Sequence, residues 1–451
     1  MAERGDPTGR TATYCVIGAG SSGLAAVKNL RQYGFDVECL ERAEDVGGNW
    51  NFGGPTSRVY ASTHVISSKP FTQYPDFPMP DRWPDYPHHS QLHAYFRRYA
   101  EHFDLLRHIR FGHEVVDLRP VDGAAAWQVT VRTADGVEET RHYAGVVIAN
   151  GHNWQPKWPR YDGEFAGELL HSMHYKGPDV LRGKRVLVVG GGNTGCDVAV
   201  EAAQHADRAL HSTRRGYWYV PKFTFGRASD QVNDLLIGLR VPRRLRQWLF
   251  RATLRATVGD LTRFGLPEPD HDILETHPIV NSLLVYHLGH GDITPKPDVR
   301  RFDGYRVTFA DGSEDEVDMV LCCTGYLATV DFLADPQRLN WDGDRFHLYQ
   351  HVFTPRHDNL FVAGLIQPDS GQFTIAHWQT VAIAEFLRAR ERAPHAVREF
   401  LETARRKLDH RYTAGVDYAD TTRHYYEIAH HDYVRGLERT INRLRRAACT
   451  R

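Results

Sequence analysis

Two stretches of the chain carry the same order of apolar and polar positions. Residues 14–30 (YCVIGAGSSGLAAVKNL) and 185–202 (RVLVVGGGNTGCDVAVEA) each pass from an unbroken apolar run through a glycine turn into an alanine-rich segment with helical spacing. An apolar run of about five residues predicts a parallel strand buried on both faces, and the small residues after it let a helix pack close. A second strand is predicted after each, at 36–40 and 209–213. Apolar runs ending in small or polar residues at 145–151 (GVVIANG), 317–326 (VDMVLCCTGY) and 359–364 (NLFVAG) predict further sheet strands. Helical spacing over 374–387 returns the chain to the first sheet, which makes the first unit discontinuous and the second an insertion. Pro156, Pro159 and Gly163 mark the crossing point.

The expected architecture is therefore α/β, with two Rossmann-like dinucleotide-binding domains and a helical C-terminal extension. One domain is expected over 1–163 and 327–451, the other over 164–326, the latter including an inserted segment at about 226–290. Six prolines between 70 and 87 predict an ordered loop and not a helix, and 391–451 reads as charged helices. Between Arg243 and Arg255, arginines interleave with Leu245, Trp248, Leu249 and Ala252 at helical spacing. This predicts a helix of the insertion that covers the active site, with a basic interfacial helix as the alternative.

Composition narrows the class. The 451 residues amount to about three domain-sized units, or two with insertions. Lys and Arg number 55 against 56 Asp and Glu, so no basic field argues for nucleic acid. The chain is 41% hydrophobic and 11% aromatic, which is globular rather than disordered. Six cysteines include no C-x-x-C pair, which argues against zinc ribbons and thioredoxin-type centres and fits a reducing compartment. His287/His290 and His430/His431 lack accompanying ligands, so no metal is expected. The polar opening MAERGDPTGR is unlike a signal peptide, and no stretch reaches the roughly 20 apolar residues of a membrane span. A cytoplasmic protein is the expectation.

The glycine turns carry the chemistry. In Gly18-x-Gly20-x-x-Gly23 the first glycine permits the turn, the second admits a pyrophosphate, and the third allows close helix packing. Glu41 ends the next strand, 18 residues after Gly23, where a carboxylate can accept both ribose hydroxyls. In Gly190-x-Gly192-x-x-Gly195 the sign at the corresponding place is inverted. Arg214 and Arg215 stand there, beginning 19 residues after Gly195, with Ser212 and Thr213 before them. That set suits a 2′-phosphate and predicts NADPH rather than NADH. Two dinucleotide folds in one chain imply electron transfer from nicotinamide to a second cofactor, most economically FAD at the first loop. The Gly47-Gly48-Asn49-Trp50 run follows Glu41, its glycines permitting close backbone approach and Trp50 offering a flat apolar face. No cysteine pair lies between Asp45 and Val65, which argues against a disulfide reductase.

Phe165-x-Gly167-x-x-x-His171-x-x-x-Tyr175 (FAGELLHSMHY), between the two glycine loops, resembles the fingerprint of flavin-containing monooxygenases. Its Tyr end is closer to that family than to the Baeyer–Villiger monooxygenases, whose version usually closes with Trp. The likeness extends over GGNW, the stretch QYPDFPMP to FDLLRHI, GGNTGCD, STRRG and CCTGY. The resemblance implies that NADPH reduces FAD, that O2 is captured as a C4a-(hydro)peroxyflavin with NADP as a lid, and that a soft nitrogen or sulfur atom of a small molecule takes one oxygen. Alternatives are Baeyer–Villiger oxygenation of a ketone, an NADPH oxidase-like flavoprotein, and a redox-sensing protein without steady turnover. A homodimer is suggested by the resemblance alone, and the end NRLRRAACTR lacks the apolar tail that anchors some members in membranes.

The expected flavin contacts are Gly18, Gly20, Ser22, Gly23, Glu41, Gly48, Asn49, Trp50 and Gln367, with Gln372 a further candidate. The expected NADP contacts are Gly190, Gly192, Asn193, Thr194, Gly195, Asp197, Ser212, Thr213, Arg214 and Arg215. One position departs from the family. Its asparagine beside the flavin aligns with Ile66, which cannot hydrogen-bond, so His64 or Ser67, with Ser68 or NADP itself as substitutes, is expected to serve there. His171 is expected to have a conformational or hydrogen-bonding role, and Tyr326 to lie near the domain junction.

Overall fold

The computed structural model describes residues 12–276, 279–416, 418 and 422–449, so the polar opening decapeptide lies outside the described residues. Two five-stranded parallel sheets organise the chain. The first runs, in spatial order, Leu360–Val362, Gly145–Ile148, Thr13–Ile17, Asp36–Leu40 and Ile109–Arg110. The second runs Glu168–His171, Met319–Cys322, Arg185–Val189, Arg208–Ser212 and Ile293–Lys296. All five strands of the second sheet lie in sequence between two neighbouring strands of the first, Gly145–Ile148 and Leu360–Val362, so one fold is nested inside the other. The central strands are buried along nearly all their length, as their almost wholly apolar composition requires.

The first sheet is covered by the helix Ser21–Gln32, on which lies Phe373–Arg392, itself covered by His430–Cys449. Fourteen of the 20 residues of Phe373–Arg392 are buried, because it is enclosed between two other helices. Several polar groups inside this stack are paired with one another. Asn29 Nδ2 donates to His377 O at 3.2 Å and Thr380 Oγ1 at 2.7 Å. Glu385, fully buried, accepts from Tyr33 Oη at 2.8 Å and pairs with Arg388 at 2.5 Å and Arg445 at 2.7 Å.

Three sequence expectations need correction. The run 317–326 is not one strand: Met319–Cys322 lies in the second sheet, the chain turns at Gly325 with φ +83°, and Tyr326–Leu327 pairs with Gln155–Pro156. The proline-rich stretch begins with a short helix, Lys69–Thr72, which the proline at its N-terminal end permits. The helix Arg243–Thr257 forms, yet Gln247, Phe250 and Leu254 make its buried face, while Leu245 and Trp248 face solvent.

An antiparallel sheet of His113–Pro120, Trp127–Thr133 and Glu138–Tyr143 packs against the first parallel sheet. Buried Asn359 fastens the two. It accepts from Trp127 Nε1 at 3.0 Å and donates to Ala125 O at 3.2 Å and Ala144 O at 2.9 Å. Asn359→Ala leaves a buried indole N–H and two carbonyls without that partner, and is expected to cost about 1–3 kcal/mol. Chemical denaturation would show this as a lower midpoint with an unchanged slope.

Candidate functional site

At the first glycine loop the strand Thr13–Ile17 ends and the helix Ser21–Gln32 begins within four residues. Gly18 has φ +98°, and a Cβ there would lie 2.7 Å from Ala149 O. A Cβ at Gly23 would lie 1.7 Å from Gly18 O. Gly20 differs, because a Cβ there meets nothing closer than Gly48 Cα at 3.8 Å. Ser22 is buried against Gly364.

Glu41 is buried, with Oε2 accepting from Ala19 N–H at 2.6 Å and Oε1 from Ala43 N–H at 2.8 Å. Burial pushes its pKa up, and the two backbone donors pull in the opposite direction. Arg42 lines a cavity of about 520 Å³ together with Arg58, Glu114, Trp154 and Met173. The guanidinium lies 5.5 Å from the Trp154 ring. Gly48 approaches Gly20 across the loop, and Asn49 Oδ1 accepts from Arg58 N–H at 2.7 Å. Trp50 is half-buried and meets Phe373 edge-on at 6.5 Å. Gln367 lies in a strand paired with Glu427–Ile428, whereas Gln372, at the start of Phe373–Arg392, donates to Gly364 O at 2.9 Å.

The second loop repeats the first. Gly190 has φ +127°, a Cβ there would lie 2.4 Å from Cys323 O, and a Cβ at Gly195 would lie 1.8 Å from Gly190 O. The helix Asn193–His205 starts directly after Gly192. Asn193 Oδ1 accepts from Val280 N–H at 2.8 Å, and Asp197 accepts from Tyr60 Oη at 2.7 Å and Asn281 Nδ2 at 2.6 Å. Beyond the next strand, Ser212 donates to Pro297 O at 2.7 Å, while the buried Thr213 Oγ1 has no hydrogen-bond partner. Arg214 is exposed, and Arg215 pairs with Asp270 at 2.8 Å.

The fingerprint segment runs into the second sheet and ends against Tyr60 of the first unit. Phe165 packs on Phe302, and a Cβ at Gly167 would lie 2.5 Å from Asp318 O. His171 ends an edge strand of the second sheet, fully buried, with Trp158 and Tyr326 rings 5.2 and 5.4 Å away. Burial lowers its pKa to about 4, so it is neutral at pH 7. Tyr175, also buried, donates to Glu201 on the helix Asn193–His205. Opposite lies the 60–68 segment of the first unit. Here His64 is exposed and donates through Nδ1 to Ser62 O at 2.7 Å, which leaves Nε2 as an acceptor in the neutral ring. Burial, its largest influence, lowers the His64 pKa. Ser67 Oγ lies 2.8 Å from Thr72 Oγ1. Sequence reasoning missed Tyr60, Ser62 and Glu201, whose contacts span 137 and 139 residues and leave no local pattern.

Among the described residues no group of three or more His, Cys, Asp or Glu side chains has the arrangement to hold a metal ion, and no helix is long and apolar enough to cross a membrane. The flavin-binding monooxygenase-like family model matches residues 11–443. Flavin-containing monooxygenase 5 of Homo sapiens is 32% identical over 433 residues, 90% of this chain and 80% of that one. Flavin-containing monooxygenase 2 of Homo sapiens is 33% identical over 385 residues, covering 81% and 71%. In fold, S-allyl-L-cysteine S-oxygenase from Allium sativum superposes with a TM-score of 0.68 at 21% identity, over 96% of this chain and 89% of that one. Open cyclohexanone monooxygenase gives 0.70 at 20% identity, over 97% and 98%. A match across nearly the whole length, joined to two glycine loops of this geometry, establishes that the chain belongs to the flavin-binding monooxygenase-like family and is an FAD-dependent NADPH monooxygenase.

Proposed function

We propose that the chain uses NADPH and O2 to oxygenate a soft nitrogen or sulfur atom of a small molecule, with FAD at the first glycine loop and NADP at the second. The observation that carries this reading is the opposite charge beside two otherwise equivalent loops, Glu41 at one and the Arg214/Arg215 pair at the other. The residues fit the two nucleotides. Beside Gly20 there is space that a side chain would fill, at the N-terminus of a helix, as a pyrophosphate requires. Glu41 keeps lone pairs beyond those its two backbone donors use, so its carboxylate can receive ribose hydroxyls. We assign the nucleoside end to the cavity lined by Arg42, the residue after Glu41. At the second loop Thr213 Oγ1 is a buried hydroxyl in want of a partner, and Arg214 a cation open to solvent. Both suit a 2′-phosphate.

The flavin, when bound, supplies electron transfer from NADPH to O2 and activation of that oxygen. The chain's own residues bind, orient and exclude water. Ile66 contributes an apolar side chain to this segment, and His64 and Ser67 supply polar atoms on either side of it in sequence. In this reading His64 acts as an acceptor through Nε2 and Ser67 as a hydroxyl donor. His171, buried and neutral, holds the junction of the two units and exchanges no proton with substrate.

Four measurements test these assignments. Gly20→Ala fits the protein sterically but fills the cradle, so a folded chain that no longer retains flavin absorbance is expected, whereas Gly23→Ala is expected to abolish soluble folded protein. Arg214→Ala/Arg215→Ala is expected to reduce the preference for NADPH over NADH by about 10- to 100-fold, the worth of a hydrogen bond to a charged group; unchanged discrimination removes the assignment. His64→Ala and Ser67→Ala are expected to raise hydrogen peroxide released per NADPH consumed, and coupling equal to the parent's in both removes their role. Product analysis with an amine, a sulfide and a ketone is expected to give N- or S-oxide; an ester alone would favour the Baeyer–Villiger alternative.

A further inference from the structure

We propose that Asp197 and Glu201 are positioning residues through which the nucleotide helix of the second unit sets the 60–68 segment of the first. The helix Asn193–His205 carries the two carboxylates four residues apart, hence on one face. Both are buried. Asp197 Oδ2 accepts from Tyr60 Oη at 2.7 Å, and Oδ1 from Asn281 Nδ2 at 2.6 Å. Glu201 Oε1 accepts from Ser62 Oγ and Oε2 from Tyr175 Oη. Each carboxylate thus has one oxygen turned to the first unit and the other held within the second. Such a group cannot rotate or withdraw without leaving a buried hydroxyl or amide unpaired.

The same segment is fixed at its far end by the second unit. Asp230, in the helix Ser229–Gly238, accepts from Ser68 N–H at 2.6 Å, and Gln231 Nε2 reaches Ser68 Oγ at 3.4 Å. His64, Ile66 and Ser67 are therefore strung between two anchorages on the other unit. The His64 ring is tied to the first of them, because its Nδ1 bonds the carbonyl of Ser62, whose hydroxyl meets Glu201. The inference rests on the reading that NADP binds at the N-terminus of Asn193–His205. A nucleotide that stabilises this helix end then stabilises the 60–68 segment too, and the reciprocal effect follows by linkage.

The test uses the full-length, FAD-loaded chain and hydrogen exchange of the 60–68 amides with and without NADP+, alongside NADP+ affinity by titration of flavin fluorescence. In the parent, NADP+ is expected to slow exchange in 60–68 by roughly fivefold, about the worth of one net hydrogen bond. Ser62→Ala cuts the crossing contact at an exposed residue and leaves Tyr175 on Glu201, and Tyr60→Phe removes only a buried hydroxyl and leaves Asn281 on Asp197. Both are expected to lose the NADP+-dependent protection and to release more hydrogen peroxide per NADPH, while Ser62→Thr, which keeps the hydroxyl, restores both. Protection in Ser62→Ala and Tyr60→Phe equal to the parent's overturns the proposal, as does a parent that binds NADP+ without protecting 60–68. A parent that does not bind NADP+ overturns both this proposal and the reading of the second glycine loop.

Discussion

Backbone meets backbone at Gly23 and again at Gly195, where a single added carbon would sit 1.7 and 1.8 Å from a carbonyl oxygen of the preceding turn. No side-chain rearrangement relieves a clash of that kind, since both partners are main chain. The contact forces each helix to start directly against the end of its strand, with free N–H groups pointing out over the sheet edge. Much else follows from that placement. Glu41 reaches Ala19 N–H because the first turn is this tight, and the carboxylates of Asn193–His205 face the first unit because the second helix starts where it does.

The parts of the molecule written in short-range spacing were legible. Strand, glycine turn, helix and the residue ending the next strand form one local unit, and its period and end charges are visible without any knowledge of the rest of the chain. The nested topology was legible too, because the run at 359–364 and the helical spacing after it follow the whole second unit and return the chain to the first sheet. By contrast, the run 317–326 looked like one strand, since hydrophobicity alone does not mark the turn that Gly325 makes. The antiparallel sheet holding Trp127, Val129 and Val131 on its inner face carries the alternation of a half-buried strand, a weaker signal than the unbroken apolar runs of the parallel strands. Outward-facing Leu245 and Trp248 depart from pattern reasoning in the opposite sense, apolar residues placed where periodicity alone does not tell inside from outside.

The bonds between the two units were invisible for a different reason. Tyr60 with Asp197 and Ser62 with Glu201 are single polar contacts between distant segments, and each residue taken singly is unremarkable in sequence. Buried carboxylates with neutral hydroxyl and amide donors need a specific partner more than buried aliphatic groups do, and so they fix geometry even where they add little net stability. Ile66 sits within the segment they hold.

Nesting one sheet within the other has a consequence for biosynthesis. As the chain leaves the ribosome, the strands Thr13–Ile17, Asp36–Leu40 and Gly145–Ile148 emerge early, but their edge partner Leu360–Val362 and the covering helix Phe373–Arg392 are still to be translated. The inner sheet, complete at Cys322, gains all its strands first. Translation order and spatial order are thus reversed: the nascent N-terminal half waits with an apolar sheet edge unpaired until residues 360–362 are made.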